Sequence, residues 1–160
     1  MSQYALENFG AYRKARELFD WVVADTGDLR KDPRCYRLIA QQVASADSVC
    51  ANIEEGYGRL SRVEYVRFLD FSRASARETR GRYERLRHWI GPDIINARIT
   101  LADEIIAILT KTIITLQQQM EKARSNSTSY LKENALAPES EADIFHSTLD
   151  TRHLVPHEPF

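Results

Sequence analysis

Helix-breaking residues are scarce in this chain, and they divide it into long uninterrupted segments. The 160 residues include six glycines and five prolines. Interruptions fall around Gly27 and Pro33, between Gly56 and Gly58, and at Gly91, which a proline follows. Long segments without a breaker are typical of α-helices, because glycine and proline disfavour a helix interior more than any other residues. The sequence therefore predicts an all-α protein.

Each segment carries apolar or small residues at alternating spacings of three and four, the period of an amphipathic helix. The four predicted helices span residues 7–24, 33–56, 61–90 and 95–123. The inward positions of the first two are Tyr12, Ala15, Phe19, Val22, Cys35, Ile39, Gln42, Ala46, Val49 and Ile53. Those of the last two are Tyr65, Leu69, Ser72, Ala76, Thr79, Tyr83, Leu86, Ile90, Ile95, Ile99, Ala102, Ile106, Leu109, Ile113, Leu116, Met120 and Ala123. Four apolar stripes that must cover one another predict an up-and-down antiparallel four-helix bundle.

Local signals mark where these helices begin and end. Asp32 followed by Pro33 predicts a helix start, with the carboxylate as N-cap and proline at the first helical position. Gly56 is predicted to end the second helix in the left-handed conformation. Ser61 and Glu64 have the spacing of a capping box, in which each side chain bonds the backbone N–H of the other residue. The connections between helices are therefore expected to be short.

Charge is divided unevenly along the chain. Residues 1–124 hold 20 basic and 17 acidic residues, whereas residues 125–160 hold two basic and six acidic residues. The second part opens with a run of Ser, Asn and Thr and has few periodic apolar residues. We expect residues 1–124 to form the bundle and residues 125–160 to be a flexible acidic tail. The formal net charge of -1 thus hides a positive body and a negative tail.

The sequence argues against a membrane protein and against a disulfide. Its longest apolar runs have four or five residues, whereas a helix that crosses a bilayer needs about 20. The N-terminal residues do not follow the pattern of an export signal, so we expect a cytoplasmic protein. Cys35 and Cys50 lie on one predicted helix, about 22 Å apart at 1.5 Å per residue, and cannot bridge each other.

Motifs for catalysis and metal binding are missing from the sequence. It contains no Gly-rich phosphate loop, no HExxH motif and no nucleophile elbow. A di-iron bundle needs Glu-x-x-His on two helices, and the nearest match, Glu84 with His88, is one residue too long and occurs once. We therefore expect no enzymatic activity, no metal and no cofactor.

The third predicted helix and the residues that lead into it are rich in arginine. Nine arginines and no lysine lie between positions 59 and 87, against four acidic residues. The planar guanidinium of arginine suits bidentate contact with phosphate or carboxylate, so this choice favours RNA or a protein interface. The candidate nucleic-acid-binding residues are Arg73, Arg77, Arg80, Arg87, Arg59 and Arg62.

Two other interpretations of the arginines stay open. Asp70 with Arg73, and Glu78 with Arg82, are spaced to form ion pairs on the helix surface, which are worth about 0.2 to 0.5 kcal/mol each. Alternatively, the arginines pair with acidic residues of neighbouring subunits or of a partner protein. Neither interpretation excludes RNA binding.

The segment 51–59, with the sequence Ala-Asn-Ile-Glu-Glu-Gly-Tyr-Gly-Arg, resembles a known family, as do Gln41 upstream and residues 64–69 downstream. The chain is similar, over about residues 8–120, to the four-helix bundle proteins encoded in intervening sequences of bacterial 23S ribosomal RNA genes. Relatives of that family include the accessory variability determinant of diversity-generating retroelements. The resemblance implies a four-helix bundle, a homopentameric assembly and no enzymatic activity. For the retroelement branch it implies binding of RNA and of a reverse transcriptase.

The family's motif positions here are Asn52, Glu55, Gly56 and Gly58. The resemblance implies that they shape the helix end and the loop rather than perform chemistry. Our leading hypothesis is a non-enzymatic homo-oligomeric bundle that binds structured RNA, or a reverse transcriptase ribonucleoprotein, through the arginine-rich helix face. The alternative is a protein–protein interaction scaffold that binds no nucleic acid.

Overall fold

The computed structural model describes residues 6–135 of the chain, with side chains through residue 129. Four α-helices follow one another: α1 (Gly10–Gly27), α2 (Tyr36–Tyr57), α3 (Arg62–Leu86) and α4 (Pro92–Ala135). Two short 3-10 helices, Asp28–Lys31 and Pro33–Cys35, connect α1 to α2. Every regular element among the described residues is helical, which confirms the predicted all-α fold.

The contact between α2 and α3 is antiparallel and partly polar. Ser72 donates its hydroxyl hydrogen to the Val49 carbonyl at 2.8 Å, and Gln42 donates from Nε2 to the Thr79 carbonyl at 3.3 Å. The Thr79 hydroxyl in turn donates to Ser45 Oγ at 3.0 Å. Residue numbers rise along one helix as they fall along the other, so the two helices run in opposite directions. Short side chains along this contact let the helix backbones approach closely.

The first helix packs antiparallel to both α2 and α4. The Tyr12 hydroxyl donates to Glu54 Oε1 at 2.7 Å, which joins the start of α1 to the end of α2. This hydrogen bond, together with burial, raises the pKa of Tyr12 to about 12. On the other side, Lys14 forms an ion pair with Glu104 of α4 at 2.8 Å. With α4 also paired to α3, the four helices form the predicted up-and-down antiparallel bundle.

The core is formed by the apolar stripes predicted from the sequence. The buried apolar side chains of the four helices are Ala11, Ala15, Leu18, Val22, Ala46, Val49, Ile53, Val66, Leu69, Ala76, Tyr83, Leu86, Ile95, Ala102, Ile105, Leu109 and Ile113. One predicted inward position, Ala123, is exposed, so the apolar stripe of α4 ends before it. Several others are half-buried, and two of them, Phe19 and Ile106, stand beside a fully buried neighbour, Leu18 and Ile105.

Two of the predicted helix-end signals are wrong, and one is confirmed. Asp32 accepts a hydrogen bond from the backbone N–H of Arg34 at 3.0 Å, as expected for an N-cap before proline. Ser61 stands at the N-cap of α3 but makes no side-chain cap hydrogen bond, so the capping box does not form. Gly56 lies within α2, which ends one residue later, and Gly58 at the C-cap has a right-handed φ of -76°.

Gly56 is required by packing between helices rather than by its backbone angles. A Cβ atom at this position would stand 2.8 Å from Cβ of Phe68 and 3.2 Å from Cδ2 of Tyr65, both on α3. Real Cβ atoms essentially never approach so closely. The missing side chain therefore allows α3 to lie against the last turn of α2.

The chain divides into two units, Met1–Glu121 and Lys122–Phe160, and the bundle belongs to the first. Helix α4 continues to Ala135, beyond the limit at residue 124 that the apolar pattern predicted. Ser127 and Thr128 are compatible with this extension, because each hydroxyl donates to the carbonyl four residues earlier at 3.0 Å. The flexible acidic tail was predicted for residues 125–160, and from residue 136 onward it falls outside the described residues.

Candidate nucleic-acid interface

The six candidate arginines lie on α3 or at its two ends. Arg59 is in the connection before α3, Arg62 is the first residue of the helix, and Arg87 follows its last residue. The other three lie along its length. The structure divides these arginines into a group that is paired with acidic side chains and a group that is not.

Arg73 and Arg80 are held against the bundle surface by acidic side chains. Arg73 pairs with Asp70 at 2.5 Å, and its side chain is only 25% exposed. Arg80 pairs with Glu84 at 2.7 Å and, across the helix boundary, with Asp103 of α4 at 2.7 Å. The hydrogen bond that Arg80 Nε donates to Asp103 raises the pKa of Arg80. Both candidates therefore form ion pairs within α3, and Arg80 also forms one with α4.

Arg59 is also paired, and it stacks on an aromatic ring. Its guanidinium forms an ion pair with Glu55 and lies 4.8 Å from the centroid of the Phe68 ring. Arg67, which was not among the candidates, pairs with Glu64 at 3.7 Å. Exposed pairs of this kind contribute about 0 to 1 kcal/mol to stability.

Arg82 is the most buried of the α3 arginines. Its side chain, 12% exposed, pairs with Glu78 and donates to Gln41 Oε1 at 2.7 Å. The Asp70–Arg73 and Glu78–Arg82 pairs are those that the spacing of three or four residues predicted. The interpretation of a helix surface covered by ion pairs is thus correct for part of the arginine set.

The remaining arginines of the α3 region have no acidic partner among the described residues. Each of the four acidic residues of α3 is already paired with a different arginine. We call the rest the unpaired α3 arginines, and their side chains are exposed. They are Arg62, Arg77, Arg85 and Arg87. Three of them were candidates, and Arg85 was not among the candidates.

The family motif positions have structural roles. Asn52 donates from Nδ2 to the Ser48 carbonyl at 2.7 Å, one turn earlier in α2. Glu55 holds Arg59 in the pair described above. The Gly58 N–H donates to the Glu54 carbonyl at 3.2 Å, which closes the helix end. Together with the close approach at Gly56, these contacts shape the turn between α2 and α3.

A largely buried charged cluster joins α1, α3 and α4, and sequence reasoning missed it. Asp25, 8% exposed, accepts hydrogen bonds from Arg98 Nε at 2.8 Å and from the Tyr83 hydroxyl at 2.9 Å. Arg98 also lies 4.0 Å from the centroid of the Trp21 ring. Burial raises the pKa of Tyr83, and the Asp25 hydrogen bond raises the pKa of Arg98. No local pattern indicates a pair 73 residues apart.

The α1–α2 and α3–α4 connections lie at the same end of the bundle and contact each other. Asp32 accepts a hydrogen bond from Trp89 Nε1 at 3.0 Å, and the Arg34 guanidinium lies 5.9 Å from the centroid of the Trp89 ring. The hydrogen bonds from Arg34 and Trp89 hold the pKa of the Asp32 carboxyl well below its usual range. Asp32 therefore ties the two connections together.

Exposed apolar side chains mark the opposite end and the boundary between α3 and α4. Leu60 in the α2–α3 connection is fully exposed, and Val63 and Ile114 are largely exposed. Val63 and Ile114 line a groove of about 380 Å³ together with Arg67 and Arg73. Asp70, the ion-pair partner of Arg73, also lines this groove, which therefore combines apolar atoms with charges of both signs.

The described part of the chain contains no group of three or more His, Cys, Asp or Glu residues placed to hold a metal ion. Cys35 is buried and Cys50 half-buried, and both are free thiols. Burial raises the pKa of Cys50 to about 12, so this thiol resists ionisation. Within residues 6–135, no helix is long and apolar enough to span a membrane.

Comparison with known proteins places this fold in a family. A family model described as 23S rRNA-intervening sequence protein matches residues 7–111, which include the motif at 51–59. The fold is similar to the crystal structure of a protein of unknown function from the S23 ribosomal protein family of Bacteroides thetaiotaomicron VPI-5482. That similarity has a TM-score of 0.61 at 23% sequence identity and covers 64% of this chain and 97% of the other. No curated protein matches the chain. The family model covers most of the chain, so the chain belongs to the 23S rRNA-intervening sequence protein family.

Proposed function

We propose that this protein is a non-enzymatic, homo-oligomeric helical bundle that binds structured RNA through the unpaired α3 arginines. The bound RNA belongs to an RNA-containing assembly, such as a reverse transcriptase ribonucleoprotein. In this proposal the protein acts as a scaffold, and no metal or cofactor takes part.

One observation carries the proposal. All four acidic residues of α3 are engaged with other arginines, so none remains to neutralise Arg77 and Arg85 in the middle and last part of the helix. An exposed guanidinium without a carboxylate partner is available to a phosphate, with which it forms short charge-assisted hydrogen bonds. Arg73 and Arg80 would first have to break their ion pairs with carboxylates before either could bind a phosphate.

Repetition of the same surface in an oligomer would strengthen the binding. A second contact to the same RNA is intramolecular, so several weak phosphate contacts combine into a much higher overall affinity. The family resemblance leads us to propose five copies. The gain in affinity does not depend on that number. It requires only that more than one copy of the chain presents its α3 arginines to the same RNA.

The experiment is a salt series of affinities for a labelled structured RNA, with the parent protein and three double variants. Arg77→Gln/Arg85→Gln removes two unpaired α3 arginines, and Arg73→Gln/Arg80→Gln removes two paired ones. The matched control is Arg13→Gln/Arg16→Gln. These two arginines of α1 are exposed and have no ion pair among the described residues, so the control removes the same charge from a different helix.

Each lost phosphate contact lowers the slope of log affinity against log salt by about 0.7 to 0.9. For the Arg77→Gln/Arg85→Gln variant, we expect this slope to fall by the amount that corresponds to losing up to about two phosphate contacts. The Arg73/Arg80 and control variants should change affinity and slope much less. Equal losses in all three variants would mean that net charge, and not this helix face, governs binding. Absence of RNA binding by the parent at low salt would refute the proposal.

The second candidate function is a protein–protein scaffold without nucleic acid, and the exposed Leu60, Val63 and Ile114 favour it. Apolar side chains exposed in this way lose contact with water when a second copy of the chain covers them. Val63→Ser/Ile114→Ser should then lower the mass measured by light scattering, and high salt should leave the parent's mass unchanged. A variant of unchanged mass would count against this candidate.

A further inference from the structure

The end of the bundle that holds the α1–α2 and α3–α4 connections carries a second surface with unpaired positive charge. Residues 28–37 contain four basic and two acidic side chains. Both acidic side chains are engaged, because Asp28 pairs with Lys31 at 3.0 Å and Asp32 pairs with Arg34 at 2.6 Å. The other two basic residues of this segment therefore have no acidic partner within it.

Those two residues are Arg30, in the first 3-10 helix, and Arg37, in the first turn of α2. Both side chains are exposed, and no ion pair involves either of them among the described residues. The segment that carries them is held in place by the hydrogen bond from Trp89 to Asp32. The two guanidinium groups are thus presented from an ordered part of the backbone.

An aromatic ring stands between these arginines in the sequence. Tyr36, the first residue of α2, is 58% exposed, although aromatic side chains of this size are usually covered. Its ring packs into none of the apolar core described above. We call Arg30, Tyr36 and Arg37 the loop-end surface.

Exposed arginines and an exposed aromatic ring on one short segment are the kinds of groups that bind unpaired nucleotides, because the cations contact phosphates and the ring stacks on a base. We propose that the loop-end surface binds an unpaired segment of the RNA, such as a hairpin loop, with Arg30 and Arg37 on the phosphates and Tyr36 stacked on a base. This inference rests on the proposed RNA binding and adds the part of the RNA that is recognised.

The exposed ring favours an unpaired segment over a double helix. Base faces inside an A-form helix are covered by neighbouring base pairs, so that a protein ring reaches base edges, sugars and phosphates but no base face. Bases in loops and bulges are free to stack on aromatic side chains. The proposed contact of the unpaired α3 arginines with phosphates requires no aromatic ring, and Phe71, the exposed aromatic residue of α3, lies 5.4 Å from the guanidinium of the paired Arg67. The two surfaces therefore have different roles on one RNA.

The test compares two labelled RNAs, a hairpin with an unpaired loop and a fully paired duplex with the same stem sequence. Full-length protein is used throughout. The variants are Tyr36→Leu, which removes the ring, Tyr36→Phe, which keeps it, and Arg30→Gln/Arg37→Gln. The Arg13/Arg16 double variant again serves as the charge-matched control, and far-UV circular dichroism checks that all variants remain helical.

We expect Tyr36→Leu to weaken hairpin binding by about 5-fold to 150-fold, the range measured for loss of a stacked base, without changing duplex binding. Tyr36→Phe should bind like the parent. Arg30→Gln/Arg37→Gln should weaken hairpin binding and lower its salt slope more than the Arg13/Arg16 control does.

The inference is overturned if Tyr36→Leu binds the hairpin as tightly as the parent does, or weakens both RNAs equally. If the parent binds RNA and only the Arg77/Arg85 variant weakens it, the loop-end surface is wrong and the proposed function stands. If the parent binds neither RNA, the proposed function fails and this inference fails with it.

Discussion

Gly56 and Gly81 both lie inside helices, yet alanine is expected to have opposite effects at the two positions. At Gly56 the new methyl group would stand 2.8 Å from Cβ of Phe68. Carbon atoms pack at about 3.5 to 4.0 Å, so α3 would have to move away by roughly 1 Å. Phe68 cannot avoid the contact by changing rotamer, because its Cβ is fixed to the α3 backbone.

The expected magnitude follows from two opposing terms. Forcing an extra methyl group into a packed contact costs about 1 to 3 kcal/mol, and a contact with a backbone-fixed atom belongs at the upper end. Alanine recovers about 1 kcal/mol relative to glycine in a helix interior. We therefore expect Gly56→Ala to lower the free energy of unfolding by about 2 kcal/mol.

Gly81→Ala is the matched control, because the same substitution meets no obstacle there. Its Cβ would have as its nearest contact Arg85 Nη1 at 3.8 Å, the far end of a flexible side chain. Only the helix-propensity gain remains, so this variant should be more stable than the parent by up to about 1 kcal/mol. The two variants should thus differ by about 3 kcal/mol.

The assay is urea unfolding followed by far-UV circular dichroism at one protein concentration, with the midpoint and the m-value fitted for each variant. An unchanged m-value would show that the comparison concerns stability and not a change in the unfolded state. If Gly56→Ala proves as stable as the parent or more so, the argument from close approach of α2 and α3 is refuted.

Four further predictions follow from the buried contacts and the charge distribution. Asp25→Ala should destabilise the fold by about 3 kcal/mol in urea unfolding because it leaves the Arg98 charge buried, and adding Arg98→Met should recover much of that loss. Gln42→Met removes a fully buried amide oxygen that has no hydrogen-bond partner among the described residues, and with it the hydrogen bond from Nε2 to the Thr79 carbonyl. The unsatisfied oxygen costs about 1 to 3 kcal/mol and the hydrogen bond contributes about 0.5 to 1.5 kcal/mol, so the thermal midpoint should stay unchanged or rise, and a drop would contradict the argument. Because folding raises the pKa of Tyr12 to about 12, the contribution of its hydrogen bond to the unfolding free energy is fully present below about pH 10 and is lost as the pH rises towards 12. Tyr12→Phe should therefore show a shallower alkaline decline in unfolding free energy than the parent. A chain ending at Ala135 lacks five acidic residues and one basic residue, and it should bind RNA more tightly at low salt than the full chain; equal affinity would exclude electrostatic competition by that segment.

The core was predictable because its determinant is periodic along the sequence. Every predicted inward position from Leu69 to Leu86 on α3 is buried. The spacing of apolar residues follows directly from helix geometry, so no knowledge of the partner helices was needed. The periodic pattern continues as far as Ala123, but that side chain is exposed.

Helix ends were predicted less well because tertiary contacts decide them. Gly56 was predicted as a left-handed helix end, since glycine is the commonest residue there. The close approach of Phe68, which is the actual reason for a glycine, involves another helix and leaves no local signal. Ser61 has the correct position for a cap, but its predicted partner Glu64 pairs with Arg67 instead.

The arginine partners were predictable only within a helix. Ion pairs at a spacing of three or four residues, such as Asp70 with Arg73, can be read from the sequence. The pair between Arg80 and Asp103 joins residues 23 positions apart, so it depends on how α3 and α4 pack. For that reason the sequence could not separate Arg77, which has no acidic partner among the described residues, from the paired arginines in the same row.

The short connections of the bundle also determine how quickly such a chain reaches its fold. Four residues join α2 to α3, and the hydrogen bond between Ser72 and Val49 spans only 23 positions. Contacts between residues that are close in sequence require little loop-closure entropy, and helical bundles of this kind fold in roughly microseconds to milliseconds. We expect the α2–α3 hairpin to form early in folding. Any slower, concentration-dependent phase in refolding would then report the meeting of separate chains.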